Sequence, residues 1–446
     1  MALSSASVWE IRTAGAATNG GGFVTGAAGT DYSQQDAKNT VGNNISTTDA
    51  VAVGTGVITS ATATFTSAIV GNIIYLQGGT GALAAGWYQV TARASTTSIT
   101  IDRSVAAGTG ITMNIGGANS DPAIVAPLLV ATNTVYQKAG TYTITSASTN
   151  VAGGCVAVSV RVKWEGYQTT RGDLGTKPIY LASGISTFTL FSATGLSSAY
   201  RNLEFDGAAL TSSRGFAQNS AQTYNDLLTA RNCTNSGFAL IGTPMYATRL
   251  FATGCTTAGA AINGSAATAV LTACEATGNT VTGISTLGSV MSCLSWNNTG
   301  ATTDGILTSV AKNCTSYGNG RDGYRTTLNG VYLANCIAEA NGAFGFNDPN
   351  TSASLLNCAG FNNTSGATSG VFVFNAGFVT GTASFFTNAV GGDFSLNNTA
   401  SAGASARAAG IPGVFPGGLT TGYLDIGAAQ HADPASSGGY VPQVFE

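Results

Sequence analysis

The chain has 446 residues, only 8% of them charged, and its formal net charge at pH 7 is −3. This charged fraction is about a third of that in an average globular protein. The sequence has no stripe of basic residues of the kind that binds nucleic acid, and no stretch long and apolar enough to cross a membrane.

Residues 1–45 are predicted to contain a strand and to cap the fold that follows. The strand is expected around residues 8–12, and the polar residues 31–36 have the composition of one or two helical turns. The glycine loop at residues 19–23 lacks the GxGxxG spacing and the lysine of a phosphate-binding loop, so no nucleotide is expected there. The start of the chain also lacks the basic and apolar regions of an export signal, which predicts a protein made in the cytoplasm.

Residues 46–118 are predicted to form a small inserted antiparallel β-domain, either a sandwich or a barrel. Short runs rich in strand-forming residues are joined by Gly, Ala and Ser turns, at residues 61–66, 72–77, 87–93, 98–102 and 111–115. An insertion of this kind would contact a partner or a neighbouring subunit, or serve as a passive spacer, and the sequence leaves both alternatives open.

Residues 119–390 are predicted to form a right-handed parallel β-helix of about a dozen coils. Seven of the eight cysteines recur every 19 to 22 residues: Cys233, Cys255, Cys274, Cys293, Cys314, Cys336 and Cys358. Asparagine precedes four of them and returns five residues after five of them, and a glycine followed by an apolar residue comes next. A period of about 20 residues without helical periodicity is typical of a β-solenoid.

Stacking of the coils explains these residue types. Successive coils lie about 4.8 Å apart, so one position in each coil stacks on itself. We expect a single interior column of free cysteines, because Cys packs as a small hydrophobe and the chain has no CxxC motif and no Cys/His cluster. Asparagine suits the corners, where it tolerates left-handed backbone and its side chains can bond one another along the column.

Two segments resemble a known superfamily. Residues 133–144, NTVYQKAGTYTI, resemble the opening coils of pectin-lyase-like β-helix proteins, and GDFSL at 392–396 with LDIGA at 424–428 resembles the motif that seals their final coil. Residues 391–446 are therefore expected to form a C-terminal cap and tail. The superfamily contains lyases, hydrolases, adhesins and viral spikes, so the resemblance implies a fold and no single activity. The phrases GGFVTGAAGTDYSQQD and EGYQTTRGDLGTKP resemble tailed-phage virion proteins.

Asp304 and Asp322 are the speculative catalytic candidates. Each precedes a glycine and an apolar residue at the same register of adjacent coils, with Arg321 and Arg325 nearby. Two carboxylates about 5 Å apart suit a retaining glycosidase, and they could share a proton or a calcium ion. Asp-Gly is also an ordinary turn dipeptide, and arginines could neutralise a solvated corner. No catalytic residue, cofactor or metal is therefore assigned.

Aromatic residues in the repeated coils have two interpretations. They form a platform for sugar rings, or they pack in the core and between subunits. They are Tyr317, Tyr324, Tyr332, Phe344, Phe346 and Phe361. Packing is favoured, because glycine-aromatic pairs recur at a position that points inward in the predicted coils.

The sequence favours a non-enzymatic structural virion protein of a tailed phage over an enzyme. The grounds are the missing export signal, the low charge and the absence of the catalytic sequence motifs of the superfamily's hydrolases. A trimeric capsid decoration or cement protein is preferred, because the capping strand starts within ten residues and no head-binding domain precedes it. A tail spike or fibre is the other virion location.

The expected partners follow from the same resemblance. They are further copies in a homotrimer, major capsid or tail proteins, and optionally a host surface glycan, with neither nucleic acid nor membrane. The alternative function is a carbohydrate-active β-helix, either a polysaccharide-degrading tail spike or a lyase or hydrolase. A bacterial adhesin is the third class.

Overall fold

The computed structural model of the chain describes residues 3–36, 45–81, 83–257, 259–326, 330–407, 409–411 and 424–430. Residues 1–185 and 190–204 form one compact unit, and residues 186–189 and 205–446 form a second. α-Helix in the described residues is confined to α1 (Pro122–Val125) and α2 (Gly403–Ala406), with short 3-10 turns at Ser67–Ile69, Ala126–Leu128 and Ala389–Gly391. None of these described helices has the length and apolar character needed to cross a membrane.

Strands up to residue 206 fall into three groups. The N-terminal strands are β1 (Ser7–Ile11) and β2 (Gly22–Val24). The strands of the inserted β-domain are β3 (Ser46–Ala52), β4 (Val57–Thr59), β5 (Ile73–Gln77), β6 (Thr80–Gly81), β7 (Gly86–Ser95), β8 (Ser98–Ile101) and β9 (Gly108–Ile115). The first solenoid strands are β10 (Asn133–Lys138), β11 (Gly140–Ile144), β12 (Ser146–Thr149), β13 (Gly154–Val158), β14 (Val162–Tyr167), β15 (Pro178–Ala182), β16 (Phe188–Ala193), β17 (Ala199–Arg201) and β18 (Glu204–Asp206).

The start of the chain adds to the first solenoid sheet. β1 pairs in parallel with β10, and β2 lies antiparallel along the other edge of β1. The strand predicted around residues 8–12 is therefore present, and it covers an edge that would otherwise expose unpaired backbone groups. The helical turns expected at residues 31–36 are wrong. Ser33 donates from its backbone and its hydroxyl to the Asp31 carboxylate, and this contact closes a tight turn instead.

A buried carboxylate joins the first strand to the loop after β14. Glu10 is fully buried, and Arg12 and Arg171 lie 2.8 and 2.7 Å from its two oxygens. Arg12 also contacts Asp36, and Arg171 contacts Asp31. Since each arginine bridges two acids, the charges of Glu10 are balanced within one network that spans distant parts of the sequence.

The inserted β-domain is a closed barrel. Its strands pair antiparallel in the order β3, β4, β8, β7, β5, β9, and β9 returns to β3. Buried apolar side chains such as Ile58, Leu76 and Val90 fill its interior. The strand predicted at residues 61–66 is wrong, because Thr62 donates from its backbone and its hydroxyl to the Asp49 carboxylate and bends the chain into a loop. β3 and β4 were missed in the sequence.

The second unit continues as a parallel solenoid. Its strands are β19 (Ser213–Gln218), β20 (Thr223–Asp226), β21 (Thr229–Arg231), β22 (Phe238–Leu240), β23 (Met245–Thr248), β24 (Phe251–Thr253), β25 (Ala260–Gly264), β26 (Ala269–Thr272), β27 (Glu275–Thr277), β28 (Thr282–Thr286), β29 (Ser289–Met291), β30 (Leu294–Trp296), β31 (Ile306–Thr308), β32 (Val310–Lys312), β33 (Thr315–Tyr317), β34 (Tyr324–Thr326), β35 (Tyr332–Ala334), β36 (Ile337–Glu339), β37 (Phe344–Asn347), β38 (Ser354–Leu356), β39 (Ala359–Phe361), β40 (Gly366–Ser369), β41 (Phe374–Ala376), β42 (Val379–Thr380), β43 (Phe386–Asn388) and β44 (Asp393–Leu396).

Each coil contributes one strand to each of three parallel sheets. Within the second unit, sheet 1 runs from β20 through every third strand to β41, sheet 2 from β21 to β42, and sheet 3 from β19 to β40. The predicted parallel β-helix is confirmed. Sheets 2 and 3 have 11 strands each over the described residues of the whole chain, which agrees with the predicted number of about a dozen coils.

The cysteines are buried and free, as predicted, but they form two columns instead of one. Phe251 pairs with Glu275, which aligns Cys255 with Asn279, and the Cys255 backbone N–H donates to the Asn279 side chain at 2.8 Å. Cys233 lies in register below Cys255, at the corner between sheets 2 and 3. The later cysteines occupy the corner between sheets 1 and 2: Cys274, Cys293, Cys314, Cys336 and Cys358.

Asparagines perform the two roles predicted for them. Those before Cys233, Cys314, Cys336 and Cys358 have φ of 52°, 52°, 54° and 47°, in the left-handed region that Asn tolerates. Those after the second sheet form a buried ladder, in which each side-chain amide donates to the next side-chain oxygen at 2.8 to 3.0 Å: Asn279, Asn298, Asn319, Asn341 and Asn363.

The two closing motifs lie along the side of the solenoid. β43 and β44 form an antiparallel hairpin whose Phe394 packs 5.5 Å from Trp296 and 5.6 Å from Tyr317. Ile426 joins the same cluster, which covers the apolar outer face of sheet 2. The expectation that these motifs seal the final coil is therefore wrong for the described residues. Residues 412–423 and 431–446 of the predicted cap lie outside the described part of the chain.

Cys293→Asp is expected to lower the free energy of unfolding by more than about 4 kcal/mol, because it buries a carboxylate between stacked coils. Cys293 is fully buried, and burial raises the pKa of its thiol. Cys293→Ala, the matched control, removes only the sulfur and should cost about 1–2 kcal/mol. Urea unfolding followed by circular dichroism measures both variants. Equal midpoints for the wild type and Cys293→Asp would contradict the interior position.

Glu339→Gln is expected to stabilise the protein at pH 7, because it removes a buried carboxylate that is ionised at that pH. Glu339 is buried under the hairpin, where it accepts the Phe385 N–H at 2.9 Å, and burial raises its pKa above the ordinary 4.5. A raised carboxyl pKa favours folding below the unfolded value and loses that contribution as pH rises through the folded value. Urea midpoints between pH 4 and 7 should fall for wild type relative to Glu339→Gln. Parallel curves would refute this.

Candidate functional site

Asp304 and Asp322 lie where the sequence placed them, on adjacent coils. Each comes just before a strand of sheet 3, and those strands pair with Ile306 opposite Tyr324. The Asp322 backbone N–H donates to the Asp304 carboxylate at 3.4 Å. Both side chains are almost fully buried. The two acids are therefore neighbours, but they face little solvent.

Arg321 holds the Asp304 carboxylate with a bidentate fork. Its Nε and Nη2 donate to the two oxygens of Asp304 at 2.7 and 2.6 Å, and Nε lies 3.8 Å from an oxygen of Asp322. The hydrogen bond to Asp304 raises the pKa of the Arg321 guanidinium. A planar guanidinium facing a carboxylate in this way fixes the orientation of both groups.

Asp322 has its own set of fixed contacts. It accepts the Phe344 backbone N–H at 3.1 Å and the Asn347 side-chain amide at 2.7 Å, both from the next coil. Each aspartate thus links its coil to the following one. This geometry supports the structural interpretation of the pair, since every oxygen of both carboxylates accepts a hydrogen bond from the chain.

A shallow cleft of about 470 Å³ opens beside Asp304. Arg321, Leu307 and Arg325 line it together with Thr282, Thr326, Pro349 and Asn350. Arg325 lies half-buried on the outer face of sheet 3 and supplies guanidinium donors that suit an anionic group. Within the described residues there is no cluster of three or more His, Cys, Asp or Glu side chains able to hold a metal ion.

The six aromatic residues predicted to pack or to bind sugar mainly serve packing. Tyr324 and Phe346 are fully buried and stack with centroids 4.9 Å apart and rings 5° from parallel. Tyr317 and Phe361 pack under the C-terminal hairpin. Tyr332 and Phe344 are half-buried. These positions do not form one exposed platform for a sugar.

The outer face of sheet 1 carries a surface that the sequence did not predict. We call it the sheet-1 outer column, and strand pairing aligns its members: Tyr224, Tyr246, Val270, Ser289, Val310, Tyr332, Ser354 and Phe374. Each is exposed or half-buried, whereas the residue after it points inward in every coil but the last. The only sequence signal is alternation over three or four residues, which is too short to identify alone.

Comparisons with known proteins return weak structural matches only. No family model matches the chain, and no curated protein matches it. ORF18 of Geobacillus virus E2 is 14% identical with a TM-score of 0.44, over 56% of this chain and 53% of the viral chain. Pectate lyase Pel9A is 13% identical with a TM-score of 0.45, over 70% of this chain and 91% of the lyase.

The A-module of mannuronan C-5 epimerase AlgE6 of Azotobacter vinelandii is 15% identical, with a TM-score of 0.35. It covers 56% of this chain and 91% of the module. Similarity this low says nothing about activity. Strand order and register define a parallel β-helix protein. More narrowly, each coil supplies one strand to each of three parallel sheets, which makes it a three-sheet parallel β-helix.

Asp304→Ala is expected to lower the free energy of unfolding by about 2 kcal/mol, because it removes a bidentate charge-assisted contact. Arg321→Ala should cost more, about 3 kcal/mol, since it leaves the buried Asp304 carboxylate without its cation. Asn350→Ala, an exposed control on the same cleft, should change stability by less than about 0.5 kcal/mol. Chemical unfolding compares the three. Wild-type stability in Arg321→Ala would show that the pair is not structural.

Proposed function

We propose that the protein is a non-enzymatic structural protein of a tailed-phage particle. The non-enzymatic role is supported by one observation: both candidate carboxylates are held by hydrogen bonds, Asp304 by Arg321 and Asp322 by Asn347. The virion part is supported by the sequence phrases that resemble phage particle proteins and by the low charge of the chain. A capsid decoration or cement protein is preferred over a tail spike or fibre.

The proposed partners are other virion proteins and further copies of the chain. A homotrimer bound to major capsid proteins suits a solenoid with few surface charges, because weakly charged faces lose little hydration when they pack together. Major tail proteins would take that place in a spike or fibre. Neither nucleic acid nor membrane is proposed as a partner.

A carbohydrate-active β-helix is the second candidate. The cleft of about 470 Å³ beside Asp304 favours it, since Arg325 could bind an acidic sugar there. Incubation with capsular and pectic polysaccharides tests this function. We expect no release of reducing ends or unsaturated products. Release by the wild type that Asp304→Ala abolishes, while the folded Asn350→Ala control retains it, would overturn the non-enzymatic proposal.

Electron microscopy of phage particles labelled with an antibody against this chain tests the proposed location. Label spread over the heads is the result expected of a decoration protein. Label at the tail would keep a virion role but overturn the preferred capsid location. Unlabelled particles, with the antibody shown to bind the purified protein, would overturn the virion proposal.

A further inference from the structure

The sheet-1 outer column is an uncharged surface that continues through eight coils of the second unit. Tyr224, Tyr246 and Phe374 are 45%, 48% and 51% exposed. Three of the eight members are tyrosine, two are valine, two are serine and one is phenylalanine. The five members other than Tyr224, Tyr246 and Phe374 are half-buried, so the column is an uncharged and mainly apolar strip that reaches the surface at every coil. Contiguous apolar surface marks a contact site more often than scattered apolar residues do.

The outer faces of the other two sheets in this unit differ from sheet 1. From Leu294 onward the face of sheet 2 is covered by the β43–β44 hairpin and Ile426, and its earlier strands carry the charged residues Arg231 and Glu275. The outer column of sheet 3 passes from Ser285 through Leu307 to Arg325, and so carries a charge next to the cleft. Sheet 1 alone of the three presents an outer column that is both apolar and, among the described residues, uncovered.

Charges near the column lie to one side of it. Asp226 and Thr248 begin the neighbouring outer column, and Asp226 is paired with Arg249 at 2.5 Å. Lys312, in that neighbouring column, has its ammonium 5.6 Å from the centre of the Tyr332 ring. The column itself therefore presents no formal charge over its whole length.

Neutrality matters for one kind of partner in particular. When identical rods pack around an axis parallel to their length, each residue near the axis faces its own copy at the same height. Any charge there would face an equal charge, and like charges directly opposite are destabilising. Tyrosine, valine and serine can face themselves without that penalty, and the apolar members gain from leaving water.

We propose that the sheet-1 outer column binds the same column of further copies of this chain, with the coils side by side and in register. The proposal deepens the homotrimer of the proposed function by assigning its contact surface. It is independent of whether the assembly decorates a capsid or a tail. The partner is a second copy, because a neutral column repeated at every coil is complementary to itself.

Charged substitutions at Tyr246 test the contact. Tyr246→Glu and Tyr246→Lys each place like charges opposite one another in every assembly, so either protein alone should sediment near the monomer mass of 44.5 kDa. An equimolar mixture should recover part of the wild-type assembly as mixed trimers, since each mixed trimer has two contacts between unlike charges and one between like charges. Tyr246 lies near one end of the column, so an antiparallel arrangement would bring it opposite Ser354 and give no recovery on mixing.

Asn263→Glu is the matched control. Asn263 lies in the same coil, half-buried on the outer face of sheet 3, and this variant should assemble as the wild type does. Circular dichroism and urea unfolding establish that every variant is folded. Analytical ultracentrifugation at about 10 µM reads the assembly state.

Three results would overturn the proposal: a monomeric wild type, a Tyr246 variant that assembles normally, or no recovery on mixing the two variants. A monomeric chain that still labels phage heads would refute this contact and the homotrimer, and would leave the proposed virion role intact. Self-association of a chain that labels no particle would refute the proposed function and leave this contact intact.

Discussion

Stacking of equivalent positions is the constraint on which the rest of the solenoid depends. Successive coils are about 4.8 Å apart, so a side chain in one coil meets the residue at the same position in the next. Every column must therefore be chemically compatible with itself. Asparagine satisfies this requirement inside the core, because its amide donates to one neighbour and its oxygen accepts from the other. Thiols and parallel aromatic rings satisfy it by packing.

Charged side chains are the least compatible with such columns. Three acids are each paired with an arginine of a neighbouring coil. Arg249 contacts Asp226, and Arg231 contacts Asp206, each across neighbouring coils. Arg321 does the same for Asp304. Pairing these three acids with an arginine one coil away avoids a stack of like charges at the surface. The low charged content of the chain limits the number of positions that need such a pairing.

The residue period was enough to predict the fold, and the inserted barrel could be recognised from its different strand spacing. The single cysteine column was wrong for a local reason. The coil from Phe251 to Glu275 is 24 residues long, and the step of 19 between Cys255 and Cys274 hides a move from one corner to another. A spacing alone cannot distinguish a shorter coil from a changed position within a longer one.

For the candidate site, the shared register of Asp304 and Asp322 could be predicted because both precede a glycine and an apolar residue. Their burial could not, since it depends on contacts from Arg321 and Asn347, whose side-chain directions no pattern specifies. The outer column of sheet 1 was missed for a similar reason. Strands of three residues contain too few alternations to show which face meets water.

The way the three sheets end also determines how the second unit comes apart. β40, β41 and β42 are each the last strand of their sheet, so this coil contacts a neighbouring coil on one side only. An interior coil must break two such interfaces to open, and its asparagine must lose partners in both directions. Opening in this one-dimensional array therefore starts at residues 366–380 and advances coil by coil, as a zipper does. The terminal coil is thus the natural site of first proteolytic attack.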